Sequence, residues 1–272
     1  MLPVVRKSLP AGRFALLPVS KKASRPVHEG ALTRLRPVPH SRFRLFVLHH
    51  AGGSHLGYRG WVRHFPSDWE ICLVDAPGRA RRSDEEPFRE AGPLADHLCD
   101  IVRPELDRPY GLFGHSMGAL VAYEMTHRLT ETPPTWLGVS AWSPVPGPER
   151  AEPRHRVPSG RLREAIAAMG GTPHHALEDP ELWAYVEPLV RADLQVVDTW
   201  SPDPQAPPLR VPLSVFGGAE DLGMTPERLS GWGEHVHGDF AHHTLPGGHF
   251  YFTGRTGELV ARITRDIRAT LP

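Results

Sequence analysis

A five-residue segment, Gly114-His115-Ser116-Met117-Gly118, constrains most strongly what this chain can fold into. It matches Gly-x-Ser-x-Gly, a motif that places a serine on a sharp turn between a strand and a helix. An apolar run at 110–113 precedes the motif, and a helical stretch at 119–129 follows it. Glycine is required at both ends because side chains there would collide with neighbouring backbone. The pentapeptide alone would arise by chance in roughly one such chain in ten, so the interpretation depends on its surroundings.

The length and composition indicate one α/β domain, with or without a lid. The 272 residues carry 31 basic and 31 acidic side chains, but residues 1–42 hold nine Lys and Arg against the single acid Glu29. The remainder is therefore acidic, which gives no support for nucleic acid as the main partner. Two isolated cysteines, Cys72 and Cys99, form neither a disulfide framework nor a zinc site, so we expect a cytoplasmic protein. We find no membrane-spanning apolar run and no secretory signal.

The first 42 residues are basic, contain prolines and show no clear periodicity. We predict that this extension is disordered, or reflects an upstream start codon, and adds little to the fold. A contact with an anionic surface or a partner is the alternative. The folded domain is expected to span residues 43–272, beginning at Phe43.

Apolar segments recur along this domain and predict strands that alternate with helices. The predicted strands are 43–48, 71–74, 110–113, 136–142, 213–216 and 243–245, and the predicted helices include 93–106, 119–129 and a C-terminal helix with apolar positions from 259 to 271. Nearly continuous apolar strands are typical of a sheet that is covered on both faces. The alternation predicts a mostly parallel sheet flanked by helices, with right-handed crossovers.

Residues 149–200 interrupt this alternation with two helices. The first is predicted over 160–169, and Gly170-Gly171 ends it. The second begins at Asp179-Pro180, typical of an N-cap and a first helical position, and Pro188 should kink it. Helices inserted between strands predict a lid over the site, and additional packing helices without a role in access are the alternative.

A serine nucleophile requires a base and a group that orients the base, in the chain order Ser, acid, His when the fold is of this kind. Each partner should follow the end of a strand. His249 follows the last strand in a Gly-Gly turn and is the predicted base, whereas His115 is expected to be a packing or turn residue. Asp221 follows the strand at 213–216 and is the predicted acid, with Glu220 or an acid from another loop as the alternative.

The oxyanion of an acyl-transfer intermediate requires two backbone donors. The amide after the nucleophile, that of Met117, supplies the first. Ala51 in the glycine-rich segment 50–53 is predicted to supply the second, with Gly52 next and a plain glycine turn as the alternative. The paired histidines at 49–50, 174–175 and 242–243 match no zinc spacing, so we expect no metal.

Several further segments carry a family resemblance, from about residue 43 to the C-terminus. They are His50-Ala51-Gly52-Gly53-Ser54, Ala76-Pro77-Gly78-Arg79, Phe113 to Ala119, Met169-Gly170-Gly171-Thr172-Pro173 with Asp179-Pro180-Glu181-Leu182, and Pro246-Gly247-Gly248-His249-Phe250. In these segments the chain resembles the type II thioesterases of polyketide synthase and nonribosomal peptide synthetase pathways, which belong to the α/β-hydrolase superfamily.

The resemblance implies an α/β-hydrolase fold with a mobile helical lid. It implies a stand-alone hydrolase, without a cofactor, that removes aberrant or stalled acyl groups from the phosphopantetheine of acyl- or peptidyl-carrier proteins. By match to the family motifs, Ser116, Asp221 and His249 would form the triad, and Ala51 and Met117 would supply the oxyanion amides. The basic extension departs from the family pattern, and so does the missing proline after Asp221.

Other functions on the same fold are a general carboxylester hydrolase, an acyltransferase, or a protein that binds carrier proteins without catalysis. Small acyl thioesters are further expected substrates, and we expect a monomer. Because carrier proteins are usually acidic, Arg79, Arg81 and Arg82 could form a docking rim, with a solvated basic loop as the alternative.

Overall fold

A computed structural model describes residues 30–144, 152–172, 174–203 and 205–271. Its strands are β1 Leu32–Thr33, β2 Phe43–Leu48, β3 Trp69–Val74, β4 Tyr110–His115, β5 Trp136–Ser140, β6 Leu213–Gly218 and β7 Phe240–Leu245. Its α-helices are α1 Ala91–Val102, α2 Met117–Arg128, α3 Ser159–Met169, α4 His174–Glu178, α5 Pro180–Asp198, α6 Pro226–Ser230 and α7 Thr256–Thr270. Short 3₁₀ segments lie between them.

The seven strands form one sheet in the order β1-β3-β2-β4-β5-β6-β7. Strands β2 to β7 pair in parallel, and β1 alone pairs antiparallel, with β3. The predicted mostly parallel sheet flanked by helices is therefore confirmed. Because these strands run in parallel, the loops that follow β2, β4, β6 and β7 all leave the same edge of the sheet.

Helices cover both faces of the sheet, which explains why its strands are apolar on both sides. On one face, α1 and α2 bury apolar side chains such as Leu94 and Leu120 against the strands. On the other face, α7 and the 3₁₀ segment Arg59–His64 bury Ile263 and Trp61. No helix in the described ranges is both long and apolar enough to cross a membrane.

The predicted insertion is helical and has a small core of its own. Leu162, Leu177, Trp183 and Leu194 belong to one apolar cluster formed by α3, α4 and α5. The Asp179 side chain caps α5 by accepting hydrogen bonds from the amides of Glu181 and Leu182, and Pro180 follows at the first position, as predicted. Pro188 lies inside α5, which continues as one helix to Asp198.

The folded part begins earlier than the sequence predicts. Leu32–Thr33 pairs with β3, Ala31 is completely buried, and the carbonyl of Ala31 accepts a hydrogen bond from the amide of Asp75 at 2.8 Å. The boundary expected at Phe43 is therefore too late. A two-residue strand is too short to produce a period in the sequence, so this segment resembled the rest of the basic extension. The remainder of the predicted disordered segment, 1–29, lies outside the described residues.

We predict that removing residues 1–42 lowers the melting temperature relative to a variant that lacks only residues 1–29. The longer deletion removes the β1 pairing, the buried Ala31 and the hydrogen bonds of Arg36 to the carbonyls of Pro66 and Phe65. At about 1 kcal/mol for each net hydrogen bond, the loss is on the order of 2–3 kcal/mol, or roughly 5–10 °C for a domain of this size. Equal melting temperatures by circular dichroism would show that residues 30–42 contribute nothing.

Candidate active site

The strand–turn–helix around Ser116 has the strained geometry that the motif predicts. Strand β4 ends at His115, α2 begins at Met117, and Ser116 between them has φ 55° and ψ −118°. A Cβ at Gly114 would overlap the carbonyl of Gly118, and a Cβ at Gly118 would overlap the carbonyl oxygen of Leu48. The two glycines therefore permit the turn and also allow α2 to approach the end of β2 closely.

His249 and Asp221 are brought together from separate loops. Asp221 follows β6 and His249 follows β7, and His249 Nδ1 lies 2.7 Å from Asp221 Oδ2. An ionised carboxylate can only accept, so Nδ1 carries the proton and Nε2 is left as the acceptor of the ring. Glu220, the alternative acid, is exposed, and His249 bonds to Asp221.

The surroundings of Asp221 keep its carboxylate ionised. The side chain is 6% exposed, and this burial opposes ionisation. The hydrogen bond and charge of His249 act in the other direction, together with the amides of Gly223 and Met224, which donate to Oδ1 at 3.0 and 3.1 Å. The pKa of Asp221 is therefore lowered overall. The short loop after Asp221 thus supplies its own backbone donors.

Ser116 lies at the same sheet edge as this acid–base pair. It follows β4. Only β5 lies between β4 and β6, and β7 is the next strand beyond β6. The ring of the preceding residue, His115, has its centroid 5.1 Å from that of His249. The structure therefore places all three predicted triad residues on turns at the carboxyl ends of neighbouring parallel strands.

His115 supports the turn, as its position in the motif predicts. Its ring is fully buried, and Nδ1 lies 2.8 Å from the hydroxyl of Ser140, which lies 2.7 Å from the Tyr251 hydroxyl. Burial, and then the proximity of His249, hold the pKa of His115 well below its ordinary value. His115 is therefore a neutral packing residue under the active-site turn.

The segment His50–Gly53, here called the oxyanion loop, follows β2 and faces the N-terminus of α2. Gly52 adopts φ +72°, and its amide donates to Asp193 Oδ2 at 2.7 Å. This bond occupies the Gly52 amide, the alternative oxyanion donor, and so favours the Ala51 amide as the donor. Met117 begins α2, so its amide has no acceptor within the helix.

The paired histidines 49–50 hold the backbone of this loop. His49 Nε2 accepts from the amide of Ala76 at 3.2 Å, and its Nδ1 lies 2.8 Å from the carbonyl of His50. His50 Nδ1 lies 3.0 Å from the Tyr58 hydroxyl. Burial, with smaller effects from His249 and Arg79, lowers the pKa of His50 to about 3. In the portion of the chain that the structure covers, no group of His, Cys, Asp and Glu is arranged to hold a metal ion.

Two of the three arginines predicted to form a docking rim are buried. Arg79 is 5% exposed and forms a bidentate pair with Asp193 of α5, at 2.7 and 2.8 Å. Arg82 is 1% exposed and donates to the carbonyl of Asp75 at 3.0 Å. The loop after β3 turns these two side chains inward. For Arg79 and Arg82, the predicted docking rim and its alternative, a solvated basic loop, are therefore both wrong. Arg81 alone is exposed.

Asp193 is a residue of this site that the sequence does not predict. The available signal was an acidic residue within the apolar stripe of α5, flanked by the buried Ala192 and Leu194. A carboxylate at such a position requires a partner, because a lone buried charge is strongly unfavourable. Periodicity shows that Asp193 faces inward but does not show which arginine it meets.

The helical insertion packs directly on the residues beside the site. A Cβ at Gly52 would lie 2.8 Å from Cγ2 of Val190 in α5. Gly171, just after α3, has φ +84°, and a Cβ there would overlap the ring of Phe250, the neighbour of His249. The helical insertion therefore contacts both the oxyanion loop and the loop that carries the predicted base.

Comparisons with known proteins agree with this architecture. The thioesterase domain family matches residues 43–267. The gramicidin S biosynthesis protein GrsT of Aneurinibacillus migulanus is 27% identical, over 85% of this chain and 91% of its own length.

Solved structures show the same likeness. RedJ, a thioesterase from the prodiginine biosynthetic pathway in Streptomyces coelicolor, is 33% identical with a TM-score of 0.77, over 83% of this chain and 86% of its own. The type II thioesterase BorB from the borrelidin biosynthetic cluster is 30% identical with a TM-score of 0.80, over 87% of this chain and 97% of its own. With an elbow serine, an aspartate–histidine pair and this family match, the chain belongs to the thioesterase domain family and is a hydrolase.

Proposed function

We propose that this protein hydrolyses acyl thioesters on the phosphopantetheine arm of acyl- or peptidyl-carrier proteins, through an acyl-enzyme on Ser116. The observation that carries the proposal is the 2.7 Å hydrogen bond between His249 Nδ1 and Asp221 at the sheet edge where Ser116 follows β4. This arrangement is suited to acyl transfer because the serine requires a base whose tautomer is fixed.

In the first half-reaction, His249 Nε2 takes the proton of Ser116 as the serine oxygen attacks the thioester carbonyl. The amides of Ala51 and Met117 stabilise the negative oxygen of the tetrahedral intermediate. The carbon–sulfur bond then breaks, and the pantetheine thiol leaves with the proton from His249. A thiol is a good leaving group, so positioning the acyl group and stabilising the oxyanion should dominate catalysis.

In the second half-reaction, water attacks the acyl-serine while His249 Nε2 accepts a proton from it. The intermediate collapses, Ser116 regains its proton from His249, and the free acid is released. Asp221 orients the imidazole throughout and stabilises the imidazolium that forms in each half-reaction. The protein supplies every group that this cycle uses, so no cofactor is required.

The biosynthetic settings of the relatives support a carrier-bound substrate. RedJ and BorB are named for prodiginine and borrelidin biosynthesis, and GrsT for gramicidin S biosynthesis. We therefore propose removal of aberrant or stalled acyl groups in a polyketide or nonribosomal peptide pathway. We expect the enzyme to act as a monomer in the cytoplasm, where thiols such as those of Cys72 and Cys99 remain reduced.

The substrate class is tested with acyl-carrier proteins that bear different acyl groups, monitored by intact mass. We expect wild-type protein to release the acyl group, leaving free phosphopantetheine, and Ser116→Ala to release none above background. Matched acyl-CoA, simple esters and alcohol acceptors distinguish a thioesterase from an esterase or an acyltransferase. Turnover of simple esters alone would contradict the carrier-protein substrate. Absence of Ser116 labelling by a fluorophosphonate would instead indicate a protein without catalysis.

The acid is tested by Asp221→Asn, with Glu220→Gln as the matched control in the same loop. Loss of the carboxylate removes the group that fixes the His249 tautomer, so we expect kcat to fall on the order of 10³- to 10⁴-fold. Glu220 is exposed, and its substitution should leave kcat within about 2-fold. An unchanged kcat in Asp221→Asn would show that the acid is not Asp221.

The lowered pKa of Asp221 also predicts an acid-dependent loss of stability. A carboxylate whose folded pKa lies below its unfolded value of about 3.9 stabilises the fold above that value. This contribution is lost as the pH falls through the folded pKa. The melting temperature of the wild type should therefore fall more steeply than that of Asp221→Asn between pH 5 and pH 3. Parallel curves would mean that the folded protein does not favour the ionised carboxylate.

A further inference from the structure

Asp193 connects the lid helix α5 to the oxyanion loop. We propose that the Arg79–Asp193 ion pair positions this loop for catalysis, by holding the Gly52 amide and thereby fixing the orientation of the neighbouring Ala51 amide. Arg79 and Asp193 are thus positioning residues, which act on the reaction through the backbone of the loop. The inference rests on the proposed function, because it requires that the Ala51 amide faces the oxyanion.

The contacts hold the loop from two sides. Asp193 Oδ2 accepts from the Gly52 amide at 2.7 Å and from Arg79 Nη1 at 2.7 Å, while Oδ1 accepts from Arg79 Nη2 at 2.8 Å. Arg79 Nη1 also donates to the carbonyl of Gly53 at 3.1 Å. One amide and one carbonyl of adjacent residues are therefore fixed by the same ion pair, and Ala51 is covalently attached to the anchored amide.

Because the pair is buried, the loss of hydration offsets much of the stability that the attraction between its charges gives the fold. Asp193 is 1% exposed and Arg79 is 5% exposed, so both charges have lost most of their hydration. Replacing such a pair by apolar residues of similar volume is often neutral or stabilising. What apolar residues cannot provide is an acceptor for the Gly52 amide. The specific contribution of the pair is therefore the geometry of the loop.

A second contact between α5 and the oxyanion loop holds Asp193 beside the Gly52 amide. Val190 lies one turn earlier on the same face of α5 and packs where a Cβ of Gly52 would lie. Ala51 itself packs against the apolar cluster of the lid. Because a donor must lie close to the developing oxyanion, a displacement of about 1 Å in this loop can cost on the order of 10²-fold in rate.

The test is the double variant Arg79→Met/Asp193→Leu, which removes both charges so that neither remains buried alone. Its substrate is the carrier-bound thioester that the wild type hydrolyses fastest. We expect kcat to fall about 10- to 100-fold while KM changes less than about 3-fold, because ground-state binding does not use the oxyanion donors. The inhibition constant of an alkyl trifluoromethyl ketone, which forms a tetrahedral adduct with the serine, should rise by the same factor as kcat/KM falls.

The matched control is Arg154→Met/Asp198→Leu. Asp198 also lies on α5 and binds Arg154 at 2.8 Å, but its other contacts are to His155. This variant removes a similar arginine–aspartate pair from the lid, and we expect kcat within about 3-fold of wild type. The amide pair Arg79→Gln/Asp193→Asn provides the rescue. Its asparagine oxygen can again accept from Gly52, so we expect kcat to recover to within about 5-fold of wild type.

Equal kcat values in Arg79→Met/Asp193→Leu and Arg154→Met/Asp198→Leu would overturn the inference, as would a loss confined to KM. If Arg79→Met/Asp193→Leu does not fold, Asp193→Glu decides instead, because it keeps both charges and displaces the acceptor by one methylene. A kcat at least about 10-fold lower in Asp193→Glu supports positioning, and an unchanged kcat refutes it. A wild-type protein that hydrolyses no thioester refutes the proposed function itself, a result separate from any difference between variants.

Discussion

The close approach between the start of α2 and the end of β2 determines the rest of the site. Gly118 lies against the carbonyls of Leu48 and His49, where no larger residue fits. This contact brings the amide that follows Ser116 next to the loop that continues from β2. The two amides proposed as oxyanion donors, those of Ala51 and Met117, therefore belong to neighbouring segments that are far apart in the sequence. The strain at Ser116 is maintained because the packing on both sides allows no other path for the chain.

The proposed acid and base follow β6 and β7 at the same edge of the sheet, and buried polar contacts fix each loop. Asp221 binds His249 and two amides of its own loop, and His115 supports the turn from below. Asp193 binds the loop after β2 from helix α5. The carboxylates of Asp221 and Asp193 accept from loop amides that have no strand or helix partner, because loops carry backbone groups that require partners. The site is thus held by polar contacts on an apolar framework.

The sequence is sufficient to predict the sheet, the elbow, the triad candidates and the helical insertion, because these features have local signals. Strands β2 and β4 are apolar runs, Asp179-Pro180 is a helix start, and the loops after β6 and β7 carry an acid and a histidine in the required order. The edge strand β1 and the burial of Arg79 have no such signal. A two-residue strand is too short to show a periodic pattern. Nothing in the sequence around Arg79 shows whether its side chain is solvated or pairs with Asp193. Long-range pairings of this kind depend on how the loops fold back.

The short edge strand β1 affects how one edge of the sheet can pair with other molecules. A parallel sheet that ended at β3 would present a row of unpaired amides and carbonyls to other molecules, which is a common route to edge-to-edge aggregation. The short antiparallel segment Leu32–Thr33 covers part of that edge, and the chain then turns away from it, with Arg34 paired to Glu105 and Glu70. Two residues are too few to offer a new template, and a charged side chain follows them directly. The segment therefore terminates the sheet at this edge.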